Sequence, residues 1–309
     1  MILFRVNASQ KIGTGHLLEC LWLARALKQK SIFVVNKDAA ALKLVRQFGF
    51  PIYTESLSKI IKEKRPDLVV FDFVDIKSSD VWAAKKAGAK ILVMNLLKRL
   101  DFADRQIVTV FGVEHILLKP ALKNFAPRKI SRTVKNIFVM FGGADPGHFT
   151  LKTLRALSKL QPDFKTTVVA GSANKNFREI SNYLKTYPKP HRLYRNITDE
   201  RKLARLMRES DLGLCSGGYT TAEFMYLGVP TIALAQNETE SRRIFSNFPK
   251  DSFVYRGLGR NITGRRLAAA AQNLMKNFSA RKAMAKKARR VVDGQGIARV
   301  KKIVSKLIN

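Results

Sequence analysis

Residues 211–223, Asp-Leu-Gly-Leu-Cys-Ser-Gly-Gly-Tyr-Thr-Thr-Ala-Glu, run from an apolar strand pattern through a glycine pair into a helix pattern. That order suits the binding of phosphate. Backbone N–H groups of Gly218, Tyr219 and Thr220 at a helix start can surround a pyrophosphate, with the hydroxyls of Ser216, Thr220 and Thr221 beside them. Gly217 and Gly218 let such a ligand approach the backbone closely. Each favourable charge–dipole contact there contributes about 0.3–1 kcal/mol, up to about 2 when partly buried. Glu223, one turn further in, is placed to accept hydrogen bonds from a ribose diol, and it equally suits a first-turn carboxylate favoured by the helix dipole. A Gly-Gly pair alone says little. The whole string, followed by Leu227-Gly228-Val229-Pro230 and another strand, says much more.

Two further glycine-rich turns end apolar strands. Ile12-Gly13-Thr14-Gly15-His16 precedes a helix carrying Leu17, Leu21 and Ala24. His16 falls in that helix's first turn, where the positive end of the dipole favours the neutral ring, able to act as a base. A positioned base contributes about 10²- to 10⁴-fold in rate. Position alone leaves the choice between such a base and a helix-capping histidine even. Phe141-Gly142-Gly143-Ala144-Asp145-Pro146 is the other turn. It can approach an anion through Gly143, while Asp145 before Pro146 reads first as a helix N-cap.

The elements that must position these residues alternate along the chain. Apolar β-rich runs at 2–6, 31–35, 68–71, 91–94, 107–110, 136–141, 166–170, 212–215 and 231–234 are separated by amphipathic helix patterns. Strand then helix, repeated, predicts an α/β architecture of parallel sheets buried on both faces. Residues 118–133, with two prolines and many basic side chains, read as a linker. Two Rossmann-like domains are therefore expected, 1–130 and 131–309, with a ligand cleft between them and the last helix packing back on the first. The basic stretch 281–306 reads as one helix.

Composition narrows the classes. The chain has 309 residues, 46% hydrophobic and 26% charged, enough for a real core. The two cysteines, Cys20 and Cys215, lie in apolar segments and read as buried thiols in a reducing compartment. MILFRVNASQ enters a strand pattern directly, without the layout of a signal peptide, so a cytoplasmic location is expected. No apolar run is long enough to span a membrane. The formal charge of +34 attracts polyanions, but the lysines and arginines are scattered and no base-reading motif accompanies them. Specific nucleic-acid binding is not expected; peripheral membrane contact stays open, as does oligomeric state. HExxH, CxxC pairs and EF-hand strings are missing, so neither a metal nor an organic cofactor is expected. A Walker loop would need Lys-Ser/Thr after Gly15, and Leu18 stands where a third dinucleotide-binding glycine would be.

The 211–223 string resembles the nucleotide-sugar site of the MurG-like GT-B superfamily. Residues 4–27, 67–95, 117–125 (LLKPALKNF), 138–146 (FVMFGGADP) and 199–240 narrow the likeness to PseG/SpsG-type proteins. The resemblance implies a GT-B-like fold and hydrolysis of a UDP-linked deoxy-diacetamido sugar, on the route to pseudaminic acid, without a cofactor. By position, His16 matches the family's proposed general base, Arg5 a basic residue of the first strand, and Asn237 an Asn-Gln position near the substrate. Ser216, Gly217, Gly218, Thr220, Thr221 and Glu223 match the UDP loop and ribose contact. Gly13, Gly15, Asp72 and Gly143 lie in the matching sugar-side and turn motifs. The chain departs from the pattern at Asn7, at Glu19 where arginine is usual, at Phe73-Val74, and at Asn95-Leu96 in place of Asp-Asp. A glycosyltransferase using the same donor is the rival enzyme, and a non-catalytic sugar-nucleotide binder the rival from another class.

Overall fold

The structure, a computed structural model, describes residues 1–8, 14–72, 78–94, 107–110 and 112–308. Contacts divide the chain into two units, Met1–Leu117 with Gln295–Asn309, and Leu118–Gly294.

The first unit runs β1 (Ile2–Val6), α1 (Gly15–Leu27), β2 (Ser31–Val34), α2 (Ala39–Gln47), β3 (Ile52–Tyr53), α3 (Leu57–Lys64), β4 (Leu68–Asp72), α4 (Ser78–Lys86), β5 (Lys90–Met94) and β6 (Ile107–Val110). Its strands form one parallel sheet in the order β3-β2-β1-β4-β5-β6. Side chains of a strand alternate between faces. In β1, Ile2, Phe4 and Val6 pack with Leu17, Leu21 and Ala24 of α1, while Leu3 packs with Ile60 and Ile61 of α3. Both faces are covered, so these strands read as unbroken apolar runs.

The second unit runs β7 (Asn136–Met140), α5 (Phe149–Leu157), β8 (Lys165–Ala170), α6 (Phe177–Leu184), β9 (His191–Arg195), α7 (Glu200–Arg208), β10 (Leu212–Ser216), α8 (Tyr219–Leu227), β11 (Thr231–Ala235), α9 (Glu238–Asn247), β12 (Val254–Leu258), α10 (Gly264–Lys276) and α11 (Phe278–Val291). Its parallel sheet has the order β12-β11-β10-β7-β8-β9, which repeats the order of the first unit. Ile137 and Val139 face Leu157, Leu267 and Ala271, whereas Phe138 meets Phe224 edge to face at 5.5 Å on the other side. Each unit is a doubly wound, Rossmann-like α/β domain.

Three strands lie outside the sequence expectation: β3, β9 and β12. Each is the edge of its sheet, where one side is unpaired and polar residues are tolerated. Residues 118–130, expected in the linker and the first domain, group instead with the second unit. Their hydrogen bonds explain this. The Arg128 guanidinium pairs with Asp211 and donates to the Arg208 carbonyl at 3.2 Å, and the Arg128 backbone N–H donates to Leu227 at 2.8 Å.

The stretch 281–306 is two helices rather than one. After α11 the chain turns at Gly294, with φ +77°, and α12 (Gly296–Ile308) joins the first unit. Gly296 permits that docking, because a Cβ there would lie 2.1 Å from the Ile116 carbonyl oxygen. Val300 and Val304 of α12 are fully buried in the α1 core, each contributing about 1.5–3 kcal/mol.

Candidate functional site

In an open parallel sheet, ligands bind beyond the carboxyl ends of the strands where the strand order reverses. In the first unit that point lies between β1 and β4. Asp72 ends β4, fully buried, and His16 is the second residue of α1, which follows β1. His16 Nδ1 lies 3.0 Å from Asp72 Oδ1, and Cys20, one helical turn along the same face, donates its thiol to Asp72 Oδ2 at 3.4 Å. A carboxylate accepts, so Nδ1 carries a proton, and in the neutral ring the lone pair then lies on Nε2. Glu19, almost fully buried, brings Oε2 to 4.0 Å from the same Nδ1. The dipole at the helix start, expected to govern His16, is therefore accompanied by two carboxylates. Burial, then the charges of Asp72 and Glu19, push the Cys20 thiol well above its usual range, leaving it a donor rather than a nucleophile.

His16, Glu19 and Asp72 also offer a nitrogen and two carboxylate oxygens within 4.8 Å of one another, a donor set able to hold a divalent cation. Among the described residues this is the one such group. Arg5 bonds to Asn7 Oδ1 at 2.8 Å and reaches Asp80 at 4.0 Å. Gly15 opens α1; Gly13, Phe73, Val74, Asn95 and Leu96 lie outside the described residues.

In the second unit the order reverses between β7 and β10, and the two remaining glycine turns leave these strands. Gly142, at φ +77°, brings the first turn beside Ser216, whose Oγ lies 3.8 Å from where a Gly142 Cβ would sit. Gly143 packs its backbone on Gly171, where any Cβ would fall 2.4 Å from Gly143 Cα. Asp145, expected as the N-cap, stands three residues before the N-cap His148; it is buried, and its carboxylate reaches the helix start to accept from Phe149 and Thr150 N–H at 2.9 Å each. Burial raises its carboxyl above the usual range, and these hydrogen bonds oppose the rise.

At the Ser216-Gly217-Gly218 turn, Gly218 precedes α8, whose first-turn N–H groups have no earlier carbonyl within the helix. Not every expected contact is free to meet a ligand. Thr221 is fully buried and donates its hydroxyl to the Ser216 carbonyl at 2.9 Å, and the Gly217 N–H donates to Leu234 at 3.0 Å. These two residues shape the turn; Ser216, Gly218 and Thr220 remain to line it. Asn237 caps α9 by accepting from Glu240 N–H at 2.9 Å. Glu223, expected as a ribose contact or a first-turn carboxylate, is ion-paired with Lys119 at 2.8 Å. His148 sits before α5, half exposed, 3.8 Å from Glu179.

Three residues at this site escaped the sequence reading. Lys119 lies in the quoted 117–125 motif, but its lysine gave no sign of a buried partner. Gln236 ties β11 to the first glycine turn, donating to the Phe141 carbonyl at 3.0 Å. Glu240 accepts from Gln236 N–H at 2.8 Å, and its other oxygen lies 3.7 Å from where a Gly218 Cβ would stand. Only folding brings these side chains to the turn. Among the described residues, no helix is long and apolar enough to cross a membrane.

No family model matches the chain. A Methanocaldococcus jannaschii protein, MJ1062, is 28% identical over 79% of this chain, which spans 57% of that longer protein. The spore coat polysaccharide biosynthesis protein SpsG of Bacillus subtilis is 25% identical over 96% of this chain and 95% of its own. The UDP-2,4-diacetamido-2,4,6-trideoxy-beta-L-altropyranose hydrolase of Campylobacter jejuni is 23% identical over 73% of this chain and 88% of its own. Among solved structures, Acinetobacter baumannii MurG superposes with a TM-score of 0.72 over 99% of both chains at 16% identity. Anabaena HepE, solved with UDP and glucose, gives 0.63 over 99% and 98% at 12% identity. The chain is a relative of the PseG/SpsG-type proteins and carries the MurG-like GT-B fold of two Rossmann-like domains.

Proposed function

We propose that this chain is a cytoplasmic enzyme of polysaccharide biosynthesis that hydrolyses a UDP-sugar, releasing UDP and the free sugar. The observation that carries the reading is the His16–Asp72 pair at 3.0 Å, at the reversal point of the first sheet. Asp72 holds the ring with its proton on Nδ1. Nε2 takes a proton from water as the water oxygen bonds to the anomeric carbon, and the bond from that carbon to the UDP oxygen breaks. The leaving diphosphate needs charge stabilisation more than a strong acid, and the turn before α8 is suited to supply it. Ser216, Gly218 and Thr220 are assigned to the phosphates, Glu223 to the ribose, and Arg5 and Asn237 to the sugar side. Likeness to the Campylobacter hydrolase supports a UDP-linked deoxy-diacetamido sugar as substrate.

The test incubates the purified protein with a panel of UDP-, GDP- and CMP-sugars and follows nucleotide release with and without acceptors. Release of UDP to water alone, lost in His16→Ala, is the expected result. Release that requires an acceptor would reassign the chain to glycosyl transfer. Tight UDP binding with no turnover, unchanged in His16→Ala, would make it a sugar-nucleotide binder.

A further inference from the structure

Lys119 Nζ lies 2.8 Å from Glu223 Oε1, with the side chains only 10% and 7% exposed. Lys119 precedes the 3-10 turn Pro120–Asn124, and Glu223 lies inside α8 behind the Ser216-Gly217-Gly218 turn. A buried ion pair is weak as a source of stability, because desolvation of both charges offsets their attraction. Its usefulness is geometric. One ammonium engages one carboxylate oxygen, and among the described residues Oε2 takes no protein hydrogen bond. The carboxylate is thereby held in one orientation with acceptor capacity left over.

We propose that Lys119 is a positioning residue that fixes Glu223 as the acceptor for a ribose diol, and so sets a preference for ribonucleotides over 2′-deoxyribonucleotides. The proposal rests on the nucleotide reading above. A site built to bond a ligand hydroxyl rejects the analogue lacking it, because the protein acceptor is left without its partner. That rejection depends on the acceptor being held still. A Glu223 carboxylate without its ammonium turns elsewhere for a partner, and the two nucleotides then differ little.

Calorimetric titration of the full chain with UDP and 2′-deoxy-UDP tests this in the wild type and in Lys119→Met, Lys119→Arg and Glu223→Gln. The wild type should prefer UDP by roughly 10- to 100-fold, the range of a hydrogen bond to a charged group. Lys119→Met and Glu223→Gln should each bring the ratio below about threefold, and Lys119→Arg should restore most of it by keeping a charged donor. A folded Lys119→Met protein that keeps the wild-type ratio overturns the proposal, as does a wild type that binds both nucleotides equally. A wild type that binds neither overturns the nucleotide reading and this inference with it. Should Lys119→Met not fold, the wild type still decides. Its Lys119 ¹⁵Nζ resonance, assigned by its loss in Lys119→Arg, should move on adding UDP and not on adding 2′-deoxy-UDP. Equal movement with both, or none with either, overturns the proposal.

Discussion

Replacing Asp72 by Asn keeps the shape of the side chain and removes its charge, at a position where both oxygens are used. Oδ1 lies 3.0 Å from His16 Nδ1, and Oδ2 accepts from the Cys20 thiol at 3.4 Å. Both neighbours donate, whereas asparagine offers one acceptor and one donor. If its oxygen faces His16, the ring keeps its tautomer but loses the charge that steadies imidazolium. The difference between a charged and a neutral hydrogen bond is about 1–1.5 kcal/mol, or roughly 5- to 10-fold in rate. If its amide faces His16, the ring proton must move to Nε2 and the base is lost, at about 10²- to 10⁴-fold. Asp72→Asn should therefore lower kcat for UDP-sugar hydrolysis by roughly tenfold or more, leaving the Kd for UDP unchanged because the phosphate turn belongs to the other unit. Steady-state release of UDP and calorimetric binding measure the two quantities. Adding Cys20→Ala removes the competing donor, so the double variant should recover part of the loss. A kcat within about threefold of wild type in folded Asp72→Asn would refute the assignment of His16 as an oriented base.

Other perturbations follow from the same geometry. Glu240→Gln removes a negative charge near Gly218 while keeping an acceptor for the Gln236 N–H. UDP should bind more tightly by about 1 kcal/mol at low salt and by less at high salt, and weaker binding in a titration would contradict this. Arg281, 1% exposed, donates to four carbonyls, those of Leu274, Met275, Ser131 and Arg132, at 2.6–2.8 Å. Arg281→Met strips all four and should cost about 3–5 kcal/mol in urea unfolding; a loss within error would show that these carbonyls find other partners. Burial pushes the Cys215 thiol up to about 12 and also raises Cys20, so both stay protonated at neutral and mildly basic pH. A thiol reagent at mildly basic pH should react with neither until denaturant is added, and one fast-reacting thiol in the native protein would contradict that burial.

The interior of both sheets was legible because it obeys local rules. Strands such as β1, β4, β10 and β11 are buried on both faces and read as unbroken apolar runs. The edge strands β3, β9 and β12 escaped because an edge tolerates polar residues; His191-Arg-Leu-Tyr-Arg195 carries no periodic signal. Residues 281–306 read as one helix because both halves are amphipathic. Whether one helix or two formed depended on Gly294, and on the close approach of Gly296 to the Ile116 carbonyl oxygen, a contact distant in sequence.

For the site, the sequence by itself determined the turns. A strand, a glycine-rich turn and a helix in that order are readable from neighbouring residues, and Ser216 and Gly218 stand at such a turn, while His16 stands in the first turn of α1. Tertiary structure decided the partners. It gave His16 the carboxylate of Asp72 and set Lys119 against Glu223, whereas Glu19 beside His16, the Thr221 hydroxyl on Ser216 and the Asn237 cap are contacts between near neighbours in sequence. A turn is made by neighbours along the chain, whose backbone conformations their own side chains restrict. A buried charge finds its partner across the fold, where only the packing of one element on another brings the two together.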